Sequence, residues 1–152
     1  MDGMCHAPIE IRPFTPADQA AARSLILAGL QEHWGTLDPN LNPDLDDIAR
    51  HYAHGVFLTA WQDGGLVGTG ALVEEAPGVA RIVRMSVDRR RRRAGIGWRI
   101  LSRLIDHARA HGFRRIVLET TDTWDDAIAF YRRCGFHLTG HHDGEAHFAL
   151  DL

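Results

Sequence analysis

The chain has 152 residues, of which 45% are hydrophobic, and this is enough for one core that needs no disulfide or metal ion to fold. Its two cysteines, Cys5 and Cys134, provide no disulfide framework, and no apolar run is long enough to cross a membrane. The first residues lack the charged and apolar regions of a signal peptide. We therefore expect a single domain over residues 1–152, located in the cytoplasm.

The net charge of −3 conceals a strong segregation of charge along the chain. Residues 81–115 contain 12 arginines and two acids, whereas the stretches on either side are acidic. All 17 basic residues are arginines, whose planar and permanently charged guanidinium groups suit phosphate. An anionic partner is therefore expected in the middle of the chain. The acidic flanks either steer a cationic partner or are simply solvated surface.

The N-terminal third is predicted to contain one strand and two helices. The strand covers Ile9–Arg12. Thr15, followed by proline, is typical of the start of a helix, and this helix ends near Trp34. A loop rich in proline and asparagine over Thr36–Pro43 then precedes a second, short helix over Leu45–Tyr52.

From residue 56 onward the pattern changes to strands. Turns that contain glycine separate three strands, which predicts an antiparallel meander. These strands are Val56–Trp61, Leu66–Glu74 and Val79–Val87.

The C-terminal half alternates helices and strands. A helix with Leu101 and Leu104 on its apolar face ends at Gly112. The elements that follow are a strand over Arg115–Thr121, a helix over Asp125–Cys134, and strands over Phe136–His141 and Glu145–Leu150. Because a helix joins Val79–Val87 to Arg115–Thr121, these two strands should be parallel. Ligands in such sheets bind at the carboxyl ends of the strands.

The segment Arg92-Arg93-Ala94-Gly95-Ile96-Gly97 lies where the first of these strands ends and the helix begins. The first turn of a helix has unpaired amides, and glycines let several of them point at one anion. Gly95 and Gly97 also remove side chains that would keep a diphosphate at a distance. A glycine pair before a helix is a weak signal by itself, but it predicts a phosphate site here.

Three features together resemble the GNAT superfamily of acetyl-CoA-dependent N-acetyltransferases. They are the pattern Arg92-x-x-Gly95-x-Gly97, the Ala…Tyr…Gly-Phe pattern within Ala127–Phe136, and the order of the elements. The resemblance implies an α/β (α+β) fold with a mixed, mostly antiparallel sheet, a splayed central parallel strand pair and flanking helices. It also implies transfer of an acetyl group from acetyl-coenzyme A to a primary amine of a small molecule or peptide, by direct attack on the thioester.

The resemblance further implies where the cofactor binds. The backbone of Met85, Ser86 and Val87 would pair with the pantetheine arm as a further strand does. The diphosphate would lie on Arg92, Arg93, Ala94, Gly95, Ile96, Gly97 and Trp98. Trp124 stands where the family often has asparagine, which leaves open whether one polar contact to the cofactor is kept.

An amine attacks a thioester only when it is deprotonated, and a lysine-like amine costs about 4.6 kcal/mol to deprotonate at pH 7. Tyr131 is the candidate acid for the leaving sulfur, because a phenol stays protonated at neutral pH. Arg81 and Arg84 stand where some family members carry a glutamate base, and they cannot act as bases. Glu119 is therefore the candidate base. Tyr131 could instead be an ordinary core tyrosine, and Glu119 could be a solvated carboxylate at the end of its strand.

Other residues leave further readings open. Glu74 and Glu75 could bind a cationic substrate, and the segment Leu30–His54 is expected to shape the acceptor site. The pairs His51-x-x-His54 and His107-x-x-x-His111 have the spacing of metal ligands but lack accompanying ligands, so no metal site is predicted.

The run Arg89–Arg93 would also suit nucleic acid, but the chain is acidic overall and the run has no interleaved aromatic residues. We therefore expect neither a nucleic-acid nor a membrane partner. A non-catalytic acyl-CoA sensor on the same fold stays open, as does a homodimer.

Overall fold

The computed structural model describes residues 7–38, 41–92 and 94–152, and Cys5 and Arg93 lie outside these ranges. The described residues form a seven-stranded sheet with the order β1-β2-β3-β4-β5-β7-β6. The strands are β1 (Glu10–Pro13), β2 (Val56–Gln62), β3 (Gly65–Ala76), β4 (Val79–Val87), β5 (Arg115–Thr121), β6 (His137–His142) and β7 (Glu145–Asp151). The helices are α1 (Gln19–Trp34), α2 (Ile48–His51), α3 (Ile96–Ala110) and α4 (Asp125–Arg133).

The sheet has the mixed, mostly antiparallel character that the sequence predicts. β4 and β5 run parallel, and the other neighbouring strands are antiparallel. The α3 crossover joins β4 to β5, as parallel neighbours require. The final strand, β7, lies between β5 and β6. The predicted fold class is confirmed.

The second helix is shorter than the predicted Leu45–Tyr52. A 3₁₀ turn over Pro43–Asp46 precedes α2, and Asp47, whose backbone is not helical, separates the two. The Gln19 side chain donates to the Leu45 carbonyl at 2.7 Å and accepts from the Ile48 amide at 3.0 Å. A contact between distant segments therefore places the break between the 3₁₀ turn and α2, and the spacing of apolar residues along the chain does not predict it.

Two apolar clusters pack on opposite faces of the sheet. On the α3 face, α3 and α4 contribute buried side chains that include Ile100, Leu104 and Tyr131. On the α1 face, Ile26 of α1 and Ile48 of α2 pack on the sheet. Gly70 of β3 lets α3 lie close to the sheet, because a Cβ there would come within 2.6 Å of Ile100 Cγ2.

Candidate functional site

The turn before α3 has the backbone geometry that its glycines suggest. Gly95 is the residue that precedes the helix, and its φ of 82° lies in the left-handed region that glycine adopts without strain. A hydrogen bond of 3.0 Å runs from the Arg99 amide to the Gly95 carbonyl. The amides of Ile96, Gly97 and Trp98 precede this bond at the helix start, where amides have no intrahelical acceptor. We call residues 95–97 the glycine turn.

Arginines of the preceding loop already have partners. Arg91 donates to Gln62 and lies 3.3 Å from an Asp63 oxygen. Arg92 forms an ion pair with Glu32 of α1, and this hydrogen bond lowers the pKa of the Glu32 carboxyl. Arg90 lies 3.5 Å from an Asp88 oxygen, but its side chain is 88% exposed.

β4 and β5 separate toward their carboxyl ends. Their ladder covers only Val79–Arg81 against Arg115–Val117. Beyond it, β4 contains a bulge in which Arg84 has a φ of 57°. Ser86 and Val87 then pair with β3 on one side, and among the described residues no strand pairs with them on the other. We call the space between the diverging strands the gap.

Tyr131 lies deep on the α3 face, with 8% of its surface exposed. Its ring packs against Phe130, Phe136 and Phe148 at centroid distances of 5.2, 5.9 and 6.2 Å. Burial raises the pKa of the phenol, so the hydroxyl stays protonated at neutral pH. No described residue forms a hydrogen bond with this hydroxyl. A buried polar group of this kind is rare and calls for a partner from elsewhere.

Glu119 lies on the α1 face of β5, and Arg81 reaches it from β4. The same guanidinium donates to both carboxylate oxygens of Glu75 at 2.9 Å. Hydrogen bonding to Glu75, together with the charge of Glu119, raises the pKa of Arg81. His147 of β7 is the register partner of Glu119. Arg81 thus donates to one oxygen of Glu119, and no described residue donates to the other.

A second ion-pair cluster on the α1 face was not predicted from the sequence. Arg84 donates to the two oxygens of Asp44 at 2.7 and 2.9 Å and to Asn42 at 3.1 Å, while the Tyr52 hydroxyl donates to Asp44 at 2.6 Å. Burial favours a higher pKa for Asp44, but the hydrogen bonds from Arg84 and Tyr52 outweigh it and lower the value. The same cluster raises the pKa of Tyr52, mainly through burial. It ties the segment between α1 and α2 to the β4 bulge.

Trp124, at the position where the resemblance implies an asparagine, contacts the end of α1. Its ring stacks on His33 with centroids 4.1 Å apart and an interplanar angle of 23°. The ring of Trp34 lies 5.6 Å from it at 58°. We call His33, Trp34 and Trp124 the aromatic cluster.

The histidines do not assemble a metal centre within the described ranges. No group of three or more histidine, cysteine, aspartate or glutamate side chains there could hold a metal ion. His107 and His111 stack on each other at 3.9 Å on α3. Burial and the neighbouring His111 lower the pKa of His107.

A cavity of about 550 Å³ lies far from the glycine turn, where β1 ends and β2 begins. Phe14, Ile48 and Phe57 contribute apolar walls, and Arg103 and His107 approach from the C-terminal half of α3. The glycine turn lies at the opposite end of that helix. This cavity is therefore separate from the gap and the glycine turn.

Across the described part of the chain, no helix is long and apolar enough to cross a membrane.

Comparisons with known proteins agree with this geometry. The model of the acetyltransferase (GNAT) family matches residues 20–136. N-acetyltransferase family 8 member 2 of Rattus norvegicus is 35% identical over 109 residues, which cover 67% of this chain and 48% of the relative. IAA acetyltransferase of Azospirillum brasilense is 40% identical over 81 residues, which cover 53% of each protein. The chain spans about half the length of the curated relatives it matches.

Solved structures share the fold along nearly the whole chain. An acetyltransferase of the GNAT family from Staphylococcus aureus Mu50 superposes with a TM-score of 0.88 at 23% identity, covering 95% of this chain and 99% of that one. PaiA N-acetyltransferase from Thermoplasma acidophilum, solved in complex with coenzyme A, has a TM-score of 0.84 at 18% identity and covers 96% and 100%. The resemblance seen in the sequence is confirmed, and this chain belongs to the acetyltransferase (GNAT) family.

Proposed function

We propose that this protein transfers an acetyl group from acetyl-coenzyme A to a primary amine. The observation that carries the proposal is the glycine turn at the start of α3, beside a β4 edge that has no partner strand in the described chain. One feature suits a diphosphate and the other suits an extended amide-bearing arm. The names of the relatives, which are N-acetyltransferases, support the same reaction.

The residues present fit the cofactor. At Gly95 a Cβ would have no atom within 4 Å, so the space above the turn is open to a ligand. The diphosphate would lie on the amides of Arg93, Ala94, Gly95, Ile96, Gly97 and Trp98, with the Arg92 guanidinium beside them. The pantetheine arm would pair with the backbone of Met85, Ser86 and Val87. When bound, acetyl-coenzyme A supplies an acetyl thioester for an amine to attack.

Tyr131 is the proposed acid. Its hydroxyl has no hydrogen-bond partner among the described residues. Its side chain lies on the α3 face of the sheet, as does the start of α3. Because burial raises the pKa of the phenol, the hydroxyl remains a donor across the neutral range. It can therefore hold a proton for the departing sulfur. The same raised pKa makes complete proton transfer harder, so hydrogen bonding is its main contribution.

Two further roles fall to residues at the gap. The amides of Met85 or Val87 would stabilise the negative charge that develops on the carbonyl oxygen. Glu119 is the proposed base, through the carboxylate oxygen that Arg81 does not occupy. In this arrangement Arg81 orients Glu119, and Glu75 in turn holds Arg81.

The arginine pairings favour this function over nucleic-acid binding. Arg91 is engaged by Asp63, which leaves fewer of the five adjacent arginines for a polyanion. The single domain over residues 1–152, the cytoplasmic location and the homodimer stay predictions.

Thiol release from acetyl-coenzyme A in the presence of a panel of amines tests the proposal. We expect release that depends on the amine and an acetylated product detected by mass spectrometry. Tight cofactor binding without turnover on any amine would instead identify a sensor. Absence of cofactor binding to the folded protein would contradict both functions.

A further inference from the structure

The last turns of α1 lie over the carboxyl end of β4. A Cβ built on Gly29 would be 3.2 Å from the Ser86 hydroxyl oxygen, so the helix backbone sits directly on the strand. One turn later, Glu32 forms its ion pair with Arg92. Both contacts place the end of α1 next to the glycine turn and at the edge of the gap.

The aromatic cluster extends this cover to the other side of the gap. Trp124 follows β5 by three residues, and its amide donates to the Thr121 carbonyl at 3.0 Å. Because His33 stacks on this ring, α1 contacts β4 through Gly29 and the end of β5 through Trp124. The cluster therefore lies across the opening between the two strands.

The α3 and α1 faces of the gap carry different chemistry. On the α3 face, a Cβ on Gly97 would lie 3.3 Å from the Phe130 ring, because α4 packs closely against the start of α3. On the α1 face, Trp34 presents a large indole ring that is 58% exposed. The cofactor is assigned to the first face, which leaves the second for the acceptor.

Carboxylates follow Trp124 in the chain and lie at the end of β5. Asp125 and Asp126 occupy the first turn of α4 immediately after Trp124. Glu145 is the register partner of Thr121 at the end of β5. A protonated amine is attracted to such a surface, while the indole rings offer flat apolar contact for the remainder of the molecule.

We propose that the aromatic cluster selects an acceptor whose primary amine is joined by a short aliphatic linker to an aromatic ring. The ring packs on Trp34 and Trp124 while the amine reaches into the gap toward the thioester. This inference rests on the proposed acetyl transfer. An aromatic partner is favoured over an aliphatic one of equal size because tilted and stacked rings attract each other beyond the area they bury.

Matched amines test the inference. At saturating acetyl-coenzyme A, we expect kcat/KM for phenethylamine to exceed that for cyclohexylethylamine by roughly two- to tenfold, mainly through KM. Butylamine and spermidine should be poorer than both. Trp34→Leu should abolish the preference for the aromatic amine without changing the KM for acetyl-coenzyme A.

Trp61→Leu is the matched control, because this tryptophan is outside the aromatic cluster. It lies on β2, with its ring 4.3 Å from the Arg12 guanidinium. It should keep the preference. Acetylation without any preference for aromatic amines would overturn the inference and leave the proposed function intact. A preference that survives Trp34→Leu, a changed KM for acetyl-coenzyme A, or a change in oligomeric state in that variant would also overturn it. If no amine at all is acetylated, the proposed function would be refuted instead.

Discussion

Replacing Gly95 with alanine tests the glycine turn, and the chain supplies a closely matched control in Gly112. Gly95 has a φ of 82° and Gly112 a φ of 81°, and at neither would a Cβ meet another atom within 4 Å. The two glycines lie at opposite ends of α3. Alanine should therefore strain both positions equally, while only position 95 touches the proposed diphosphate site.

The expected magnitudes differ between folding and binding. Each alanine should lower the free energy of unfolding by about 1–2 kcal/mol, the penalty for a side chain in the left-handed region. If Gly95→Ala displaces two amides from the diphosphate, each worth about 1.5 kcal/mol, the Kd for acetyl-coenzyme A should rise about 100-fold. Gly112→Ala should bind as the wild type does.

Thermal unfolding and isothermal titration calorimetry measure the two quantities separately. Similar losses of stability with a loss of affinity only in Gly95→Ala are the expected result. Wild-type affinity in Gly95→Ala, or an equal loss of affinity in both variants, would refute the reasoning.

Three other substitutions probe the remaining roles. Tyr131→Phe should lower kcat by about 100-fold with unchanged cofactor affinity, and the raised pKa of Tyr131 means that wild-type activity should not fall up to about pH 10 through its ionisation; a wild-type kcat in the variant would exclude the acid role. Glu119→Gln should also lower kcat by about 100-fold, because the amide still accepts from Arg81 but cannot take a proton; unchanged turnover would exclude Glu119 as the base. Asp44→Asn should lower the free energy of unfolding at neutral pH by about 2 kcal/mol, since it leaves Arg84 with an uncharged and therefore weaker hydrogen-bond partner. Because the pKa of Asp44 is lowered in the folded protein, its contribution to stability is present above about pH 4 and is lost as the pH falls through the folded-state pKa. The stabilities of the wild type and the variant should therefore converge in acid. Chemical denaturation at neutral and at acidic pH checks this, and a difference in stability that does not change with pH would contradict it.

The sequence predicted the elements whose signals are local. The apolar face of α3, ending at Gly112, and the glycine turn around Ile96 depend only on neighbouring residues, and the structure has both features. The α3 crossover likewise requires β4 and β5 to be parallel. These predictions hold because helix periodicity and turn chemistry act over a few residues.

Features that join distant segments were not predicted. The Arg84–Asp44 pair links residues 40 positions apart and depends on the bulge that turns Arg84 toward the α1 face. The stacking of His33 on Trp124 likewise joins α1 to the start of α4. In the sequence, Trp124 was only a departure from a family pattern. Such contacts are set by strand register and helix packing, which a single sequence does not specify.

The central claim is that main-chain donors at the start of α3 hold the diphosphate of acetyl-coenzyme A. Calorimetry on the folded protein with acetyl-coenzyme A and with S-acetylpantetheine tests it, because the second compound keeps the thioester and its arm but lacks the diphosphate together with the phosphoadenosine attached to it. We predict binding of acetyl-coenzyme A at least about 100-fold tighter than binding of S-acetylpantetheine. Equal affinities, or no heat of binding with acetyl-coenzyme A, would contradict the claim.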